Sequence, residues 1–322
     1  MMRHLLLAPA LALGLLAAAG PRALAQPPPP ALDAASRAAL AHLPFDTALV
    51  ASIHVAEARR SPMGRRVLAG LERDRAFQRV TRDLRVRVGF DYRRDIERVW
   101  LAMPPRAFDG GNQVAFIARL TIDQTRFVQW LRRARGDQLT ARQLGQATYY
   151  AAGDIAWAFL DREHMLVAHA GYVEDVLRAS TGRKHTAAAN RPLVLAATEA
   201  ARPGAHAWLA VLLPEQVRGR LRDGALTAAL ADVRWTAGRL TLGDVTRWRG
   251  QVKTTRRESA QALVAVLRQM IDTAAASHEL VEAGLSGALR QTAVAVRGDT
   301  VEIEGSLPGA RAGAVVDAVL AP

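Results

Sequence analysis

The stretch that decides the fold is Ile155-Ala156-Trp157-Ala158-Phe159, followed by the turn Asp161-Arg162-Glu163 and by Met165-Leu166-Val167-Ala168-His169. The first segment alternates with the period of two that is typical of a half-buried strand. Two such strands joined by a short polar turn predict an antiparallel hairpin. Because helical patterns surround this hairpin along the chain, we expect a fold of the α+β class.

Working outward, helical and strand patterns follow one another along the chain. Residues 123–135 predict a helix with Asp123 as its N-cap. In residues 75–88, Phe77, Val80, Leu84 and Val88 form an apolar stripe on one helical face. Further predicted helices are 32–43, 64–73, 171–180, 215–222, 258–275 and 310–320. Further predicted strands are 47–55, 96–103, 113–121, 206–213, 232–240, 245–254, 292–296 and 301–306.

The order of these elements repeats in the two halves of the chain as β-α-β-β-α-β-β-α. Such a repeat predicts an internal duplication, although a chance match of element order explains it too. We therefore divide the chain into a signal peptide (1–25), a Pro-rich spacer with a short helix (26–43), a first half (44–182), a linker (183–191) and a second half (192–322). Each half is expected to be a mostly antiparallel sheet with helices packed on one face.

The N-terminus has the layout of a secretory signal peptide. Arg3 precedes an apolar run at 5–19, and Ala23-Leu24-Ala25 forms a small-x-small cleavage site. A membrane anchor is the alternative, but a spanning helix needs ~20 apolar residues and this run is shorter. The chain contains no cysteine, which excludes a lipid-modified N-terminal cysteine and disulfides. We expect cleavage after Ala25 and a periplasmic or secreted protein with no transmembrane segment, and not a lipoprotein.

The chain is strongly basic, with a formal net charge of +13. Only Lys184 and Lys253 are lysines, so arginine carries nearly all of the positive charge. GC-rich codon usage is one explanation of the excess of arginine, because the chain is also rich in Ala, Gly and Val. Binding of an anionic partner is the other explanation. The arginine-rich surface at 59–106 has two explanations: its helix rests on an anionic membrane surface, or it is a core helix coated with arginines. Nucleic acid is not expected as the partner of an exported protein.

Catalytic and metal-binding signatures are not found. The histidines are scattered, and His164 and His169 are expected on opposite faces of one strand, so we predict no metal site and no cofactor. Residues 284–288 (GLSGA) resemble a nucleophile elbow but place the second glycine one position early. Two groups of carboxylates are interpreted as ion-paired surface and not as a glycosidase pair. These are Asp91, Asp95 and Glu97, and Asp154, Asp161 and Glu163.

The best candidate site is a basic strand pair. In residues 245–254, Arg247, Arg249 and Lys253 share one strand face, while Trp248 and Val252 share the other. Arg234 and Arg239 lie on the preceding strand, beside Trp235. Guanidinium groups on one sheet face suit phosphate, lipid head groups or acidic glycans. The alternative is a sheet face that is simply exposed to water.

The signal peptide, the opening Pro44-Phe45-Asp46-Thr47 and the two α+β halves resemble uncharacterised secreted bacterial proteins with tandem α+β modules. That resemblance implies architecture and no site, because those proteins have no assigned activity. We predict an exported, soluble, non-catalytic binding or scaffold protein whose partner is an envelope protein, an acidic polymer or a lipid head group. The alternatives are a carrier in which two sheets enclose a lipid, and a hydrolase of unrecognised type.

Overall fold

Twelve antiparallel strands form one open sheet in the computed structural model, which describes residues 31–215, 218, 230–282, 284–309 and 311–313. The strands are β1 (Leu49–Ile53), β2 (Ile96–Met103), β3 (Ala115–Leu120), β4 (Thr140–Leu144), β5 (Ala147–Ala152), β6 (Ile155–Phe159), β7 (His164–His169), β8 (Ala207–Val211), β9 (Val233–Thr241), β10 (Val245–Thr254), β11 (Ala293–Arg297) and β12 (Thr300–Pro308). Their order across the sheet is β11-β12-β10-β9-β8-β1-β2-β3-β7-β6-β5-β4. The predicted α+β class and antiparallel pairing are confirmed.

Helices occupy most of the connections between strands. The α-helices of the described residues are α1 (Ala34–His42), α2 (Val55–Ala58), α3 (Pro62–Leu71), α4 (Arg75–Val88), α5 (Tyr92–Asp95), α6 (Gln124–Arg135), α7 (Ala170–Ser180), α8 (Arg191–Ala200), α9 (Arg257–Ala275), α10 (His278–Glu282) and α11 (Ser286–Arg290). Short 3-10 helices lie at Pro105–Asp109, Gly136–Gln138 and Ala187–Ala189. Most of the predicted helices at 215–222 and 310–320 lies outside the described residues.

Local sequence signals set several helix ends. Asp123 caps α6 as predicted, with its Oδ1 accepting a hydrogen bond from the backbone N–H of Arg126 at 2.9 Å. Gly89 ends α4 in the left-handed region, at φ 79°, where glycine has no steric penalty. Both signals lie within one helical turn of the end that they determine, which is why the sequence alone predicts them.

The pair β1–β8 lies in the middle of the sheet and joins the two predicted halves. Val50 of β1 faces Ala102 of β2 on one side and Ala210 of β8 on the other. Strands β2 to β7 extend outward from β1, and β9 to β12 extend outward from β8. The segments 44–182 and 192–322 therefore contribute to one continuous sheet. This excludes the predicted carrier arrangement in which two separate sheets enclose a lipid.

The sheet has a front face, which carries Trp100, Ile117 and Leu166, and these side chains are almost fully buried. Helices α1, α7 and α8 pack on this face and complete the largest apolar core of the described residues. Small residues such as Ala196 on α8 and Ala210 on β8 allow helix and sheet to approach closely.

The opposite, back face carries helices too, so the prediction of helices on one face is wrong. Over β3, β6 and β7, helices α4 and α6 form one back cluster, which includes Val88, Phe127 and Met165. Over β9, β10 and β12, helices α9 and α11 pack on two adjoining clusters that contain Leu263 and Trp248. The physical reason is that these strands are apolar on both sides, which requires cover on both sides.

Candidate functional site

The back face is incompletely covered over its four central strands, β8, β1, β2 and β3. We call this region the central groove. Its partly exposed apolar side chains are Ala51, Val99, Leu101, Met103, Phe116, Ala207 and Val211. Ile53, at the end of β1, is 50% exposed. Central strands of a sheet are usually its best-buried part, so this apolar exposure indicates a surface that receives something else.

Two helical clusters flank the central groove, and α3 and α4 connect them. Met63 of α3 packs in the cluster of Trp248, while Val88 at the end of α4 packs in the cluster of Phe127. The chain from Met63 to Val88 therefore passes from one side of the central groove to the other. Leu71 and Val80 on this connection are 37% and 45% exposed.

The same connection is rich in cations. Arg73, Arg75, Arg79 and Arg82 are all exposed on or between α3 and α4. Guanidinium groups next to an apolar surface match a ligand with an apolar body and an anionic end. The apolar back of β1 and this exposed run of cations therefore lie on nearby elements of the chain.

A separate polar pocket opens on the front face. It encloses about 200 Å³ and is lined by side chains from the N-terminal segment, β1, β2 and the end of α8. Arg98 donates hydrogen bonds to Asp33 Oδ1 at 2.8 Å and to Ser36 Oγ at 3.0 Å, and its guanidinium lies 3.4 Å from His54 Nδ1. His54 Nδ1 in turn lies 2.7 Å from Glu57 Oε2. These groups form one ion-paired network that holds α1 to the sheet.

This network predicts a pH dependence of stability. Burial and the positive charge of Arg98 lower the pKa of His54, and Glu57 opposes them. Since the unfolded chain then binds a proton more readily than the folded chain, the free energy of unfolding is expected to fall as pH falls below about 6.5, the ordinary pKa of histidine. Urea unfolding between pH 7 and pH 5 measures this slope.

Two variants test whether His54 causes the change in the free energy of unfolding with pH. His54→Gln is expected to flatten the slope, because it removes the group that takes up the proton. Glu57→Gln is expected to steepen it, because it removes the charge that opposes the shift in pKa. An unchanged slope in both variants contradicts this account.

The predicted basic strand pair lies at the β9–β10 ladder. Arg239 stands directly opposite Arg249 on the front face, and Lys253 stands opposite Trp235. Arg249 forms an ion pair with Glu304 of β12, and Lys253 Nζ lies 2.5 Å from Asp299 Oδ1. Glu304 of β12 and Asp299 of the turn before it therefore supply carboxylates to part of this face, a pairing that the sequence of β9 and β10 does not predict.

The other members of the pair differ in their surroundings. Arg239 donates to the Glu199 carbonyl oxygen at 3.1 Å. Burial, together with the charges of Arg249 and Arg202, lowers the pKa of Arg239 to about 10. Arg234 and Arg247 are exposed. Anion binding by this face stays a prediction.

The carboxylate groups singled out in the sequence are mostly ion-paired. Arg119 bridges Glu97 and Glu163, at 3.2 Å and 3.0 Å. Asp95 pairs with Arg94 at 2.7 Å, and Asp91 caps α5 through the Arg93 N–H. Such contacts match the interpretation of these groups as ion-paired surface. Asp161 differs from them, because it lies between two histidines.

Sequence reasoning missed the central groove. Its strands alternate or run apolar like any buried strand, and only the placement of the helices shows which face is left open. Within the described residues, no helix has the length and apolar character needed to cross a membrane.

Comparison with known proteins finds a structural resemblance and no family. No family profile and no curated protein matches this chain. The fold resembles that of the bacterial protein TP0453. Crystal form III of TP0453 matches with a TM-score of 0.47 and 10% identity, over 87% of this chain and 97% of that chain. Crystal form I matches with a TM-score of 0.46 and 11% identity, over 87% and 96%.

Proposed function

We propose that this chain is an exported, non-catalytic binding protein of the bacterial envelope, and that its ligand is an anionic amphiphile such as a fatty acid. The apolar part lies on the central groove, and the anionic end lies against the arginines of α3 and α4. The observation that carries this proposal is the partly exposed apolar back of four central strands, with Ile53 half exposed.

A row of apolar side chains across the central groove supports an elongated ligand. Paired, at least partly exposed side chains continue from Ala118 to Val99, Ile53 and Ala207 across β3, β2, β1 and β8. With strands ~4.8 Å apart, this row of apolar side chains spans about 14 Å, a length that suits an alkyl chain. Burying such a chain contributes ~0.8 kcal/mol for each methylene group.

Export and duplication belong to the same proposal. The N-terminal pattern, with its cleavage site at Ala23-Leu24-Ala25, supports export. The strand orders β1-β2-β3-β7-β6 and β8-β9-β10-β12-β11 progress outward from the central pair in the same way. This correspondence supports two similar halves, with the β4–β5 hairpin added to the first.

Native mass spectrometry of the protein isolated from its own periplasm tests the proposal directly. We expect a co-purified mass of fatty-acid or phospholipid size, and a mature chain that begins at Gln26. A protein that carries no lipid, and that does not bind a fluorescent fatty acid added to it, contradicts the proposal.

Substitution in the groove gives a sharper test. Ile53→Glu places a carboxylate on the apolar floor, and we expect the affinity for a fluorescent fatty acid to fall by at least about tenfold, because the charge must lose its water. Leu195→Glu is the matched control, since Leu195 is 59% exposed on α8, on the other face of the sheet. Equal affinities in the two variants contradict binding at the central groove.

A further inference from the structure

His42 meets Asp161 and His164, which are distant from it in sequence, at one end of the sheet. His42 ends α1, Asp161 lies in the β6–β7 turn and His164 begins β7. One ligand atom from each residue lies within 4.8 Å of the other two. The histidine spacing predicted no metal site, because His42 and His164 are far apart in sequence and adjacent only in the fold.

The distances between the donor atoms fit a tetrahedral ion. Asp161 Oδ2 lies 3.3 Å from His42 Nε2 and 2.8 Å from His164 Nδ1. Zinc bonds to nitrogen and oxygen of ~2.0–2.1 Å put neighbouring donors of a tetrahedron ~3.3 Å apart. One separation already has this value, and the other has to open by about half an ångström.

The surrounding contacts hold the ligands in place. Asp161 Oδ1 accepts hydrogen bonds from the backbone N–H groups of Glu163 at 2.7 Å and His164 at 2.8 Å, which aims Oδ2 at the two histidines. His42 Nδ1 lies 3.0 Å from Ser180 Oγ, so the ring nitrogen not facing Asp161 has its own partner. Metal-binding histidines are oriented in this way by a second hydrogen bond.

His164 supplies an independent observation. It is only 6% exposed, and its Nε2 is buried without a hydrogen-bond partner in the described structure. A buried imidazole that satisfies one nitrogen through Asp161 and leaves the other unpaired is costly unless something else stabilises it. A metal bond to Nδ1 leaves Nε2 unpaired, and it offsets this cost through the free energy with which the ion binds the folded chain.

We propose that His42 Nε2, His164 Nδ1 and Asp161 Oδ2 bind one divalent transition-metal ion of the zinc type, with water as the fourth ligand. Two imidazoles and one carboxylate suit Zn²⁺ better than Ca²⁺ or Mg²⁺, which prefer all-oxygen sites. Asp161 is partly exposed, which leaves room for the water. The ion ties α1 to β7 and to the β6–β7 turn.

Calorimetric titration of tag-free, chelator-treated full-length protein with zinc chloride tests the proposal. We expect one zinc ion per chain, and a melting temperature that rises with zinc because the metal binds only the folded chain. Asp161→Asn and His42→Gln are expected to weaken binding by at least ~10-fold, and Ser180→Ala by a smaller factor. A wild-type protein that binds no zinc overturns the proposal.

The control is His169→Gln, which removes a histidine from the same strand but from its other face. It is expected to bind zinc as the wild type does. A cooperative thermal transition in Asp161→Asn shows that this variant is folded, so its loss of affinity reports on the site. If Asp161→Asn and His42→Gln bind zinc as tightly as the wild type, the ion lies elsewhere and the assignment is wrong.

Discussion

Trp100→Ala is expected to lower the free energy of unfolding by about 3–5 kcal/mol, the range for deleting a fully buried large aromatic side chain. Trp100 is 1% exposed on the front face, in the middle of the sheet. It stands between Ser52 of β1 and Ile117 of β3, so the cavity left by its removal opens between three strands and the helices above them. Strands paired on both sides have little freedom to collapse into that space.

Trp100 also has polar neighbours. The guanidinium of Arg98 lies 5.7 Å from the centroid of its ring, and the ring of His164 lies 6.1 Å from it. Its own Nε1–H is buried without a hydrogen-bond partner in the described structure. Trp100→Phe is therefore expected to lower the free energy of unfolding by less than its change in side-chain volume suggests, because it removes that unpaired donor.

Urea unfolding of the three proteins measures these differences. We expect Trp100→Phe to lose less than about 1.5 kcal/mol and Trp100→Ala to lose at least twice as much. Unchanged m-values are needed to assign the loss to the folded state. A loss below about 1 kcal/mol for Trp100→Ala contradicts tight packing of the front core.

Gly305→Ala is expected to cost about 2–3 kcal/mol, although it adds a single methyl group. Gly305 of β12 faces Trp248 of β10 across the back of the ladder, and a Cβ at this position overlaps the indole ring. That ring is 3% exposed and is packed among Leu285, Leu307 and Met63. It has no room to move aside, so the methyl group has to displace the strand or the whole cluster.

Gly287→Ala is the matched control, because Gly287 is exposed in α11 and its added Cβ meets no atom within 4 Å. It is expected to be neutral or to stabilise by roughly 0.5 kcal/mol. In the double variant Trp248→Leu with Gly305→Ala, the loss is expected to be smaller than the sum of the single losses. Additive losses show that Gly305 and Trp248 do not share the space that the structure assigns to both.

Sequence alone predicts the elements with a strong local pattern. The stripe of α4 and the alternation of β10 define both elements to the residue, because each pattern repeats over several turns or pleats. β4 was missed, since it lies at the sheet edge with four of its five residues exposed and has no apolar alternation. α8 was missed too, because it directly follows the predicted linker and its alanines show only a weak stripe.

Strand pairing across long sequence distances lies outside such patterns. Nothing within β1 specifies that its two neighbours are β2 and β8, because both sides of a central strand use the same backbone groups. The central groove and the histidine–aspartate cluster also depend on packing between residues that are distant in sequence. The central groove depends on which sheet face the helices leave open, and the meeting of His42 with His164 depends on how α1 docks on β7.

The two ends of the open sheet decide whether copies of this chain polymerise. Unpaired edge strands are templates for another chain, and natural proteins blunt them with charge, short length and side-chain caps. At one edge, β4 exposes Arg142 among polar neighbours. At the other, β11 has five residues, and Arg268 of α9 donates to the Val294 carbonyl at 3.2 Å. An open sheet of twelve strands can thus avoid pairing its edge strands with those of another copy of the chain.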